Sequence, residues 1–474
     1  SLAQTTATVR AGEVVSLQLS IRREVPTPGY VACDTHLHTL THSGHGDATI
    51  AERMITLAGE AIELPIATDH NVHIDYEPTA RQLGVRRYFT PVVGNEVTTS
   101  RGHFNIFPVR TDARPPDHKQ IDWKLLFEEI HRTPDVKMLI LNHARDLHSG
   151  VRPFGPTLHY AIVGENLEGW PIGFNAMEVV NSGATQTDVM QLFHDWMGLL
   201  NRGYRITPVG SSDSHDVTRY IPGQGRTYIR CADDDPGNIN VAAALESLQQ
   251  GRVMVSYGLL VEMKVNQTST SGDLARAEDD LVQVDVRVLG PSWTSAQQVQ
   301  LFGNGVLLGD ATIPSRGQSD LPSGVKWSGT WKIRRPAHDL HLVAIAQGPG
   351  VDGLYWRTAK PYQPTSLSAQ TSVIGCSGVV WLDADGDGRF TSAFEYARSL
   401  IARHPQDLEK IVSGLADYDE ATSVHAANQL QAAGVNLQDD RLRTLLKAAP
   451  PAVQSGFQRF QESWRQIVIA RQHP

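Results

Sequence analysis

Between Tyr30 and Arg230 the chain repeats one pattern: a short apolar run, then an ionisable residue at or just beyond its end. The runs are YVAC, LPIAT, TPVVG, HFNIFPV, MLILN, AMEVV, ITPVG and GRTYIR, separated by stretches of helical period, which predicts βα units. His36 and His38 follow the first run, Asp69 and His70 the second, Glu96 the third, His143 the fifth, and Asp213 with His215 the seventh. In a (β/α) barrel the C-terminal strand ends share one face, where active sites are built. His103 begins its run rather than ending it.

The spacers support this reading. Thr49 and Glu52 form a T-x-x-E capping box, and Ile50, Met54, Leu57 and Ala61 then fall on one helical face. Further helices are predicted from about Thr187 to Arg202, stopped by Gly203, and from Val241 to Gln250, stopped by Gly251. Four units are expected: an N-terminal β segment (1–28), with two short strands in Thr6–Arg22; an α/β barrel (29–257); a small β-sandwich (258–365); and a helical tail (366–474).

Composition narrows the function classes. No apolar run approaches the roughly 20 residues that span a bilayer, and a net charge of −9 without a basic block argues against nucleic acid as a partner. Cys33, Cys231 and Cys376 are too far apart for a CxxC metal site or a disulfide framework and read as small buried residues. Ser1 stands where a start methionine would, so a trimmed chain is expected, and export to a periplasm is compatible with it. Oligomeric state leaves no mark in the sequence.

A single H-x-H means little in a chain with 19 histidines. The recurrence at successive strand ends is what matters. Imidazole and carboxylate are ligands for zinc, manganese or iron, and more than four of them imply more than one ion. For any one histidine alone, a satisfied or surface residue is the ordinary expectation.

In this order and spacing, HLH, TDHN, GNE, GH, NHA and SDSH resemble the PHP (polymerase and histidinol phosphatase) superfamily over roughly residues 30–230. The resemblance implies a distorted seven-stranded (β/α) barrel and a site of two or three metal ions, zinc first among them. It carries the ligand roles to His36, His38, His70, Glu96 as the bridging carboxylate, His103, His143, Asp213 and His215. A further ligand lies in THSGHGD, where His42, His45 and Asp47 compete; His45 is preferred and Asp47 is the alternative. GHGDATIAERM, IELPIATDHNVHIDY, NHAR and GRTYI are most similar to the CehA/McbA group of metallohydrolases, which implies hydrolysis of a carboxylic or carbamic ester of the carbaryl kind.

Around these residues, Asp34 and Asp69 are expected to orient ligand imidazoles. Arg145 and Arg226 are candidates for stabilising an oxyanion or phosphate, and His73 for protonating a leaving group; surface or ion-paired roles are the plain alternatives. In DADGDG, Asp383, Asp385 and Asp387 match a calcium loop, with Glu395 one residue late for the closing ligand; an ordinary acidic turn is the alternative. Two rival functions remain. One is a PHP-type phosphoesterase. The other is a non-catalytic binding or scaffold protein, whose mark would be an exposed strip of Trp293, Trp327 and Trp331.

Overall fold

A computed structural model describes residues 3–147, 150–184, 188–314, 321–353, 356–358 and 371–472. It is a mixed α/β protein in which every apolar run read as a strand between Tyr30 and Arg230 contains one. The reading missed Asn95–Thr99, which hairpins onto Gly102–Phe107 through the two residues Ser100 and Arg101. This hairpin explains how His103, at the start of its strand, is brought opposite Thr98 and beside Glu96.

The strands lie in two sheets rather than in a closed barrel. One runs Thr207–Ser211, Ala176–Asn181, Met138–Leu141, Gly102–Phe107, Asn95–Thr99. The other begins Val92–Val93, Leu64–Ala67, Tyr30–Asp34, Arg226–Arg230, Val253–Tyr257. Among the described residues the backbone bridges between the two sheets are isolated ones, Leu37 with Ser214 and His70 with Glu96. The cause is local. Thr207–Ser211 bulges at Val209/Gly210, and there Thr227 Oγ1 accepts from Gly210 N and donates to Gly210 O, both at 2.9 Å, in place of a strand ladder.

The second sheet does not stop at the expected boundary at 257. Val253–Tyr257 pairs with Ser372–Ser377, and the sheet continues through Leu340–Pro349 and Val380–Asp383 to Leu274–Arg276. A separate three-stranded sheet, Leu260–Val265, Leu281–Leu289 and Val325–Arg334, packs over this half. Val282, Val284, Val286 and Val288 alternate inward against Val299, Leu301, Leu342, Val380 and Leu382. Trp327 belongs to that core and Trp293 and Trp331, partly buried, pack against it, a core role rather than the exposed strip that a scaffold protein would show. Ser372–Ser377 and Val380–Asp383 are strands where a helical tail was expected, because their side chains complete this core. The expected junction at 365/366 lies outside the described residues, as does Thr187, the expected start of the second helix.

Two further expectations fail. Thr6–Arg22 forms a turn at Ala11–Gly12 but no strand, and with no neighbouring strand to pair with, Val9, Val14, Leu17, Leu19 and Ile21 are exposed. The capping-box helix is Ile50–Gly59; Ala61 lies beyond it at φ 52°, exposed, off the buried face of Met54 and Leu57.

The C-terminal helices Ala393–Arg403, Leu408–Gly414, Glu420–Ala432, Asp440–Ala448 and Pro451–Gln472 enclose their own core, to which Tyr160 and Val163 contribute. At the seam with the sandwich, His341 and His425 are fully buried with neither ring nitrogen hydrogen-bonded, and burial pushes each pKa down to about 3. A neutral buried histidine stabilises the fold above the unfolded pKa near 6.5, and this contribution is lost as pH falls toward 3. His338 has the opposite sign, since burial is outweighed by the Asp419 carboxylate 3.2 Å away, which raises its pKa. Urea unfolding of a His341→Leu/His425→Leu variant should therefore give a shallower fall in stability from pH 6.5 to 5 than the parent, by on the order of 2 kcal/mol per histidine. Equal slopes would contradict this account of the seam.

Candidate metal centre

Asp34 organises the entrance of the first two histidines. Buried at the end of its strand, its carboxylate accepts from His36 N at 3.2 Å, Ser212 N at 3.1 Å, Ser212 Oγ at 2.5 Å and Gly223 N at 2.6 Å. It thus ties the HLH segment to the SDSH segment through backbone N–H groups and the Ser212 hydroxyl rather than by bonding an imidazole. Alternation then puts Leu37 into the core while His36 and His38 face one side.

On that side the donor atoms converge on two carboxylates. Glu96 Oε1 lies 3.3 Å from His36 Nε2, 3.2 Å from His103 Nδ1 and 3.5 Å from His143 Nε2; its Oε2 lies 2.5 Å from His70 Nδ1 and 3.7 Å from His38 Nε2. Asp213 Oδ1 lies 3.3 Å from His36 Nε2, 3.2 Å from His38 Nε2 and 3.6 Å from His215 Nδ1, with Oδ2 3.9 Å from His143 Nε2. His45 reaches the solvent side, its Nε2 2.9 Å from His70 Nε2, which is 3.5 Å from His215 Nε2. Asp47 does not join; its carboxylate accepts from Val217 N at 2.6 Å. His42 is exposed.

These seven imidazoles and two carboxylates fit a polynuclear divalent metal site. His36 Nε2 and His38 Nε2 are buried without a hydrogen-bond partner, and such atoms demand a proton or a cation. The ligand atoms of His38, His70 and His215 gather within 4.8 Å of one another, as do those of His36, Glu96 and His143, and those of His36, His38 and Asp213. Charge follows the same geometry. Burial opposes ionisation of Glu96 and Asp213, yet the surrounding histidines hold both pKa values well below the carboxylate range. Burial likewise opposes charge on His143, but Glu96 and Asp213 push its pKa up to about 9, while burial takes His215 down to about 4.

Several supporting residues escaped the sequence reading. Glu178, fully buried, places Oε1 2.7 Å from His36 Nδ1, and its Oε2 accepts from His143 N at 2.6 Å and Asn181 Nδ2 at 2.9 Å. Its one signal is a glutamate inside the apolar strand AMEVV. Ser43 Oγ donates to Asp69 at 2.8 Å and lies 3.2 Å from His38 Nδ1, so Asp69 acts on His38 through this hydroxyl, with Nε2 left facing the centre. Asp69 also accepts from Thr39 N at 2.7 Å and Tyr76 OH at 3.1 Å, so it anchors the loop as well as bearing on His38. Asn142 donates to Glu96 Oε1 at 3.1 Å. Buried Arg53 donates to His38 O at 3.0 Å and Ser214 O at 2.9 Å, joining both histidine loops to the capping-box helix.

The other catalytic candidates lie off the centre. Arg145 forms a two-bond ion pair with Asp195. Arg226 donates to the carbonyls of Gly223 and Glu60, neither of them at the cluster. His73 turns its Nδ1 to Arg110 O, 3.0 Å away. In the acidic loop, Asp387 pairs with Arg389 and Glu395 with Arg398, so neither joins the group; Asp339 does, alongside Asp383 and Asp385. Asp383 is satisfied by Gly386 N and Gly388 N, at 2.7 and 3.0 Å.

A cavity of about 190 Å³ meets the cluster at His45, Asp213 and His215, with Asp146, Arg219 and Tyr220 on its outer wall. Gly46 is required here: at φ 85°, any Cβ would lie 2.4 Å from His215 O. No known family model matches this chain, and no curated protein matches it.

Proposed function

We propose that the chain is a metal-dependent hydrolase of the PHP type, acting on a carboxylic or carbamic ester, with zinc the first candidate metal. The observation that carries this reading is the convergence of seven histidines around Glu96 and Asp213, with the buried Nε2 atoms of His36 and His38 aimed at those carboxylates. Two sheets that bridge at Leu37–Ser214 and His70–Glu96 support reading them as an opened form of that superfamily's barrel. Divalent ions bound there would supply water activation near neutral pH and polarise the substrate's carbonyl or phosphoryl oxygen.

The chain's own residues do the remainder. Glu96 and Asp213 keep their negative charge although buried, which favours cation capture. Glu178 and Ser43 fix the ring orientations of His36 and His38. His45 and His215 are the cluster histidines that line the cavity, so substrate approaches from their side. The phosphoesterase alternative loses Arg145 and Arg226 as anion ligands, since both are engaged elsewhere, and keeps Arg219 on the cavity wall. The scaffold alternative loses its aromatic strip.

The test compares naphthol release from 1-naphthyl N-methylcarbamate and from 1-naphthyl phosphate, before and after chelation. Chelator-sensitive release from the carbamate is expected, with little from the phosphate. The reverse preference would shift the assignment to phosphoester hydrolysis, and no release by fully metallated protein from either would overturn the proposed substrate class.

A further inference from the structure

Arg145 and Asp195 stand outside the cluster, yet their geometry is more specific than a surface ion pair requires. Asp195 is fully buried on the helix Gln191–Arg202, whose other buried residues include Leu192, Phe193, Trp196, Leu199 and Leu200. A carboxylate there conflicts with the apolar packing around it and persists only with a dedicated partner. Arg145 supplies one, with Nε 2.5 Å from Oδ2 and Nη2 2.8 Å from Oδ1, a planar fork that fixes orientation as well as distance. His159 closes the other side: its Nε2 is 3.9 Å from Asp195 Oδ1, and its ring stacks on Phe154 with centroids 3.9 Å apart.

All of this hangs on the turn that carries His143. The His143 backbone sits at φ 22°, a conformation that side-chain-bearing residues rarely adopt. Its N–H donates to Glu178 at 2.6 Å and its carbonyl accepts from Asp146 N at 2.8 Å, while Ala144 O accepts from Phe154 N at 3.0 Å. Backbone bonds therefore hold the turn on both sides of Arg145, and Arg145 is the side chain that fastens it to a helix. We propose that the Arg145–Asp195 pair is a positioning device: it locks the His143 turn against the helix so that the imidazole is held toward Glu96 and Asp213, with Phe154 and His159 keeping water from the fork. This rests on the metal-centre reading above. It assigns Arg145 and Asp195 a role exerted through His143, without contact to substrate.

Removing one partner alone leaves a buried charge and risks misfolding, so the test uses Arg145→Met/Asp195→Leu, which replaces the pair with apolar side chains of similar volume, together with Arg145→Lys, which keeps the charge and loses the fork. Cobalt(II) alone is titrated into chelated full-length protein, reading the visible absorption spectrum and the binding isotherm, with circular dichroism to verify folding. A folded double variant is expected to bind cobalt about 10–100-fold more weakly and with an altered spectrum, the scale seen when partners of metal ligands are lost; Arg145→Lys should fall between it and the parent. If the parent binds cobalt and the folded double variant reproduces its spectrum and affinity, the positioning role is overturned. If the double variant fails to fold, the Arg145→Lys spectrum decides on the same terms. A parent that binds no cobalt would instead overturn the metal-centre reading, and this proposal with it.

Discussion

Replacing Glu96 with alanine is expected to lower hydrolytic turnover at least about 1,000-fold and to reduce the metal bound per chain, while the protein stays folded. The magnitude follows from position: Glu96 lies within 4.0 Å of five histidines, more than any other carboxylate in the cluster. Its loss removes the negative charge and the two oxygens on which these histidines converge, so a divalent cation there would keep only neutral imidazoles and Asp213 as donors. Glu96→Gln is the sharper version, because it keeps the shape while removing the charge and replacing one acceptor oxygen with an amide donor. Metal analysis and naphthol release on the same samples check it. A Glu96→Gln protein with full metal content and parental turnover would show that this carboxylate is not part of the centre.

The second large effect is expected at Glu178, which touches no predicted substrate space and yet holds two cluster members. Glu178→Gln should weaken metal binding about 10–100-fold, because the ring of His36 loses its charged partner at Nδ1 and the His143 backbone N–H loses a carboxylate acceptor at 2.6 Å. Turnover at saturating metal should recover much of the parental value, whereas Glu96→Gln should not recover at any metal concentration. Competition with a zinc-sensitive dye measures the affinity. Unchanged affinity in Glu178→Gln would mean that the orientation of His36 is fixed by packing alone.

These two carboxylates also mark how far a sequence can be read. Glu96, His36, His38, His70, His143, Asp213 and His215 were legible because each follows an apolar run, and chain direction alone puts strand ends together. His45 was chosen over Asp47 by resemblance and loop spacing, and the geometry separates them, one imidazole facing His70 and the other carboxylate binding Val217 N. Glu178 was hidden because it sits inside a strand: a charged residue in an apolar run signals a buried partner but does not name it. The same limit applies to the arginines. Asp195 lies 50 residues from Arg145, and of the two carbonyls that Arg226 binds, Gly223 is local but Glu60 lies 166 residues away; nothing local encodes the two remote pairings.

The architecture divides along similar lines. Strand identity is local and was read from β-branched, apolar composition. Sheet membership is not: whether Thr207–Ser211 and Arg226–Arg230 share a ladder turns on a bulge at Gly210 and one threonine hydroxyl. The continuation of the second sheet from Val253–Tyr257 into Ser372–Ser377 pairs segments more than a hundred residues apart, so a boundary drawn at a change of composition could not reveal it. Thr6–Arg22 shows the converse, since an alternating pattern without a neighbouring strand to pair with forms no strand.

The most direct measurement is the metal content of purified full-length protein, by mass spectrometry, after equilibration with zinc and removal of free ions, alongside the Glu96→Gln and Glu178→Gln variants. More than one tightly held ion per parent chain, reduced in both variants, is the predicted result. A parent chain that retains no ion, or variants that retain as much as the parent, would contradict the assignment of this cluster as a metal centre.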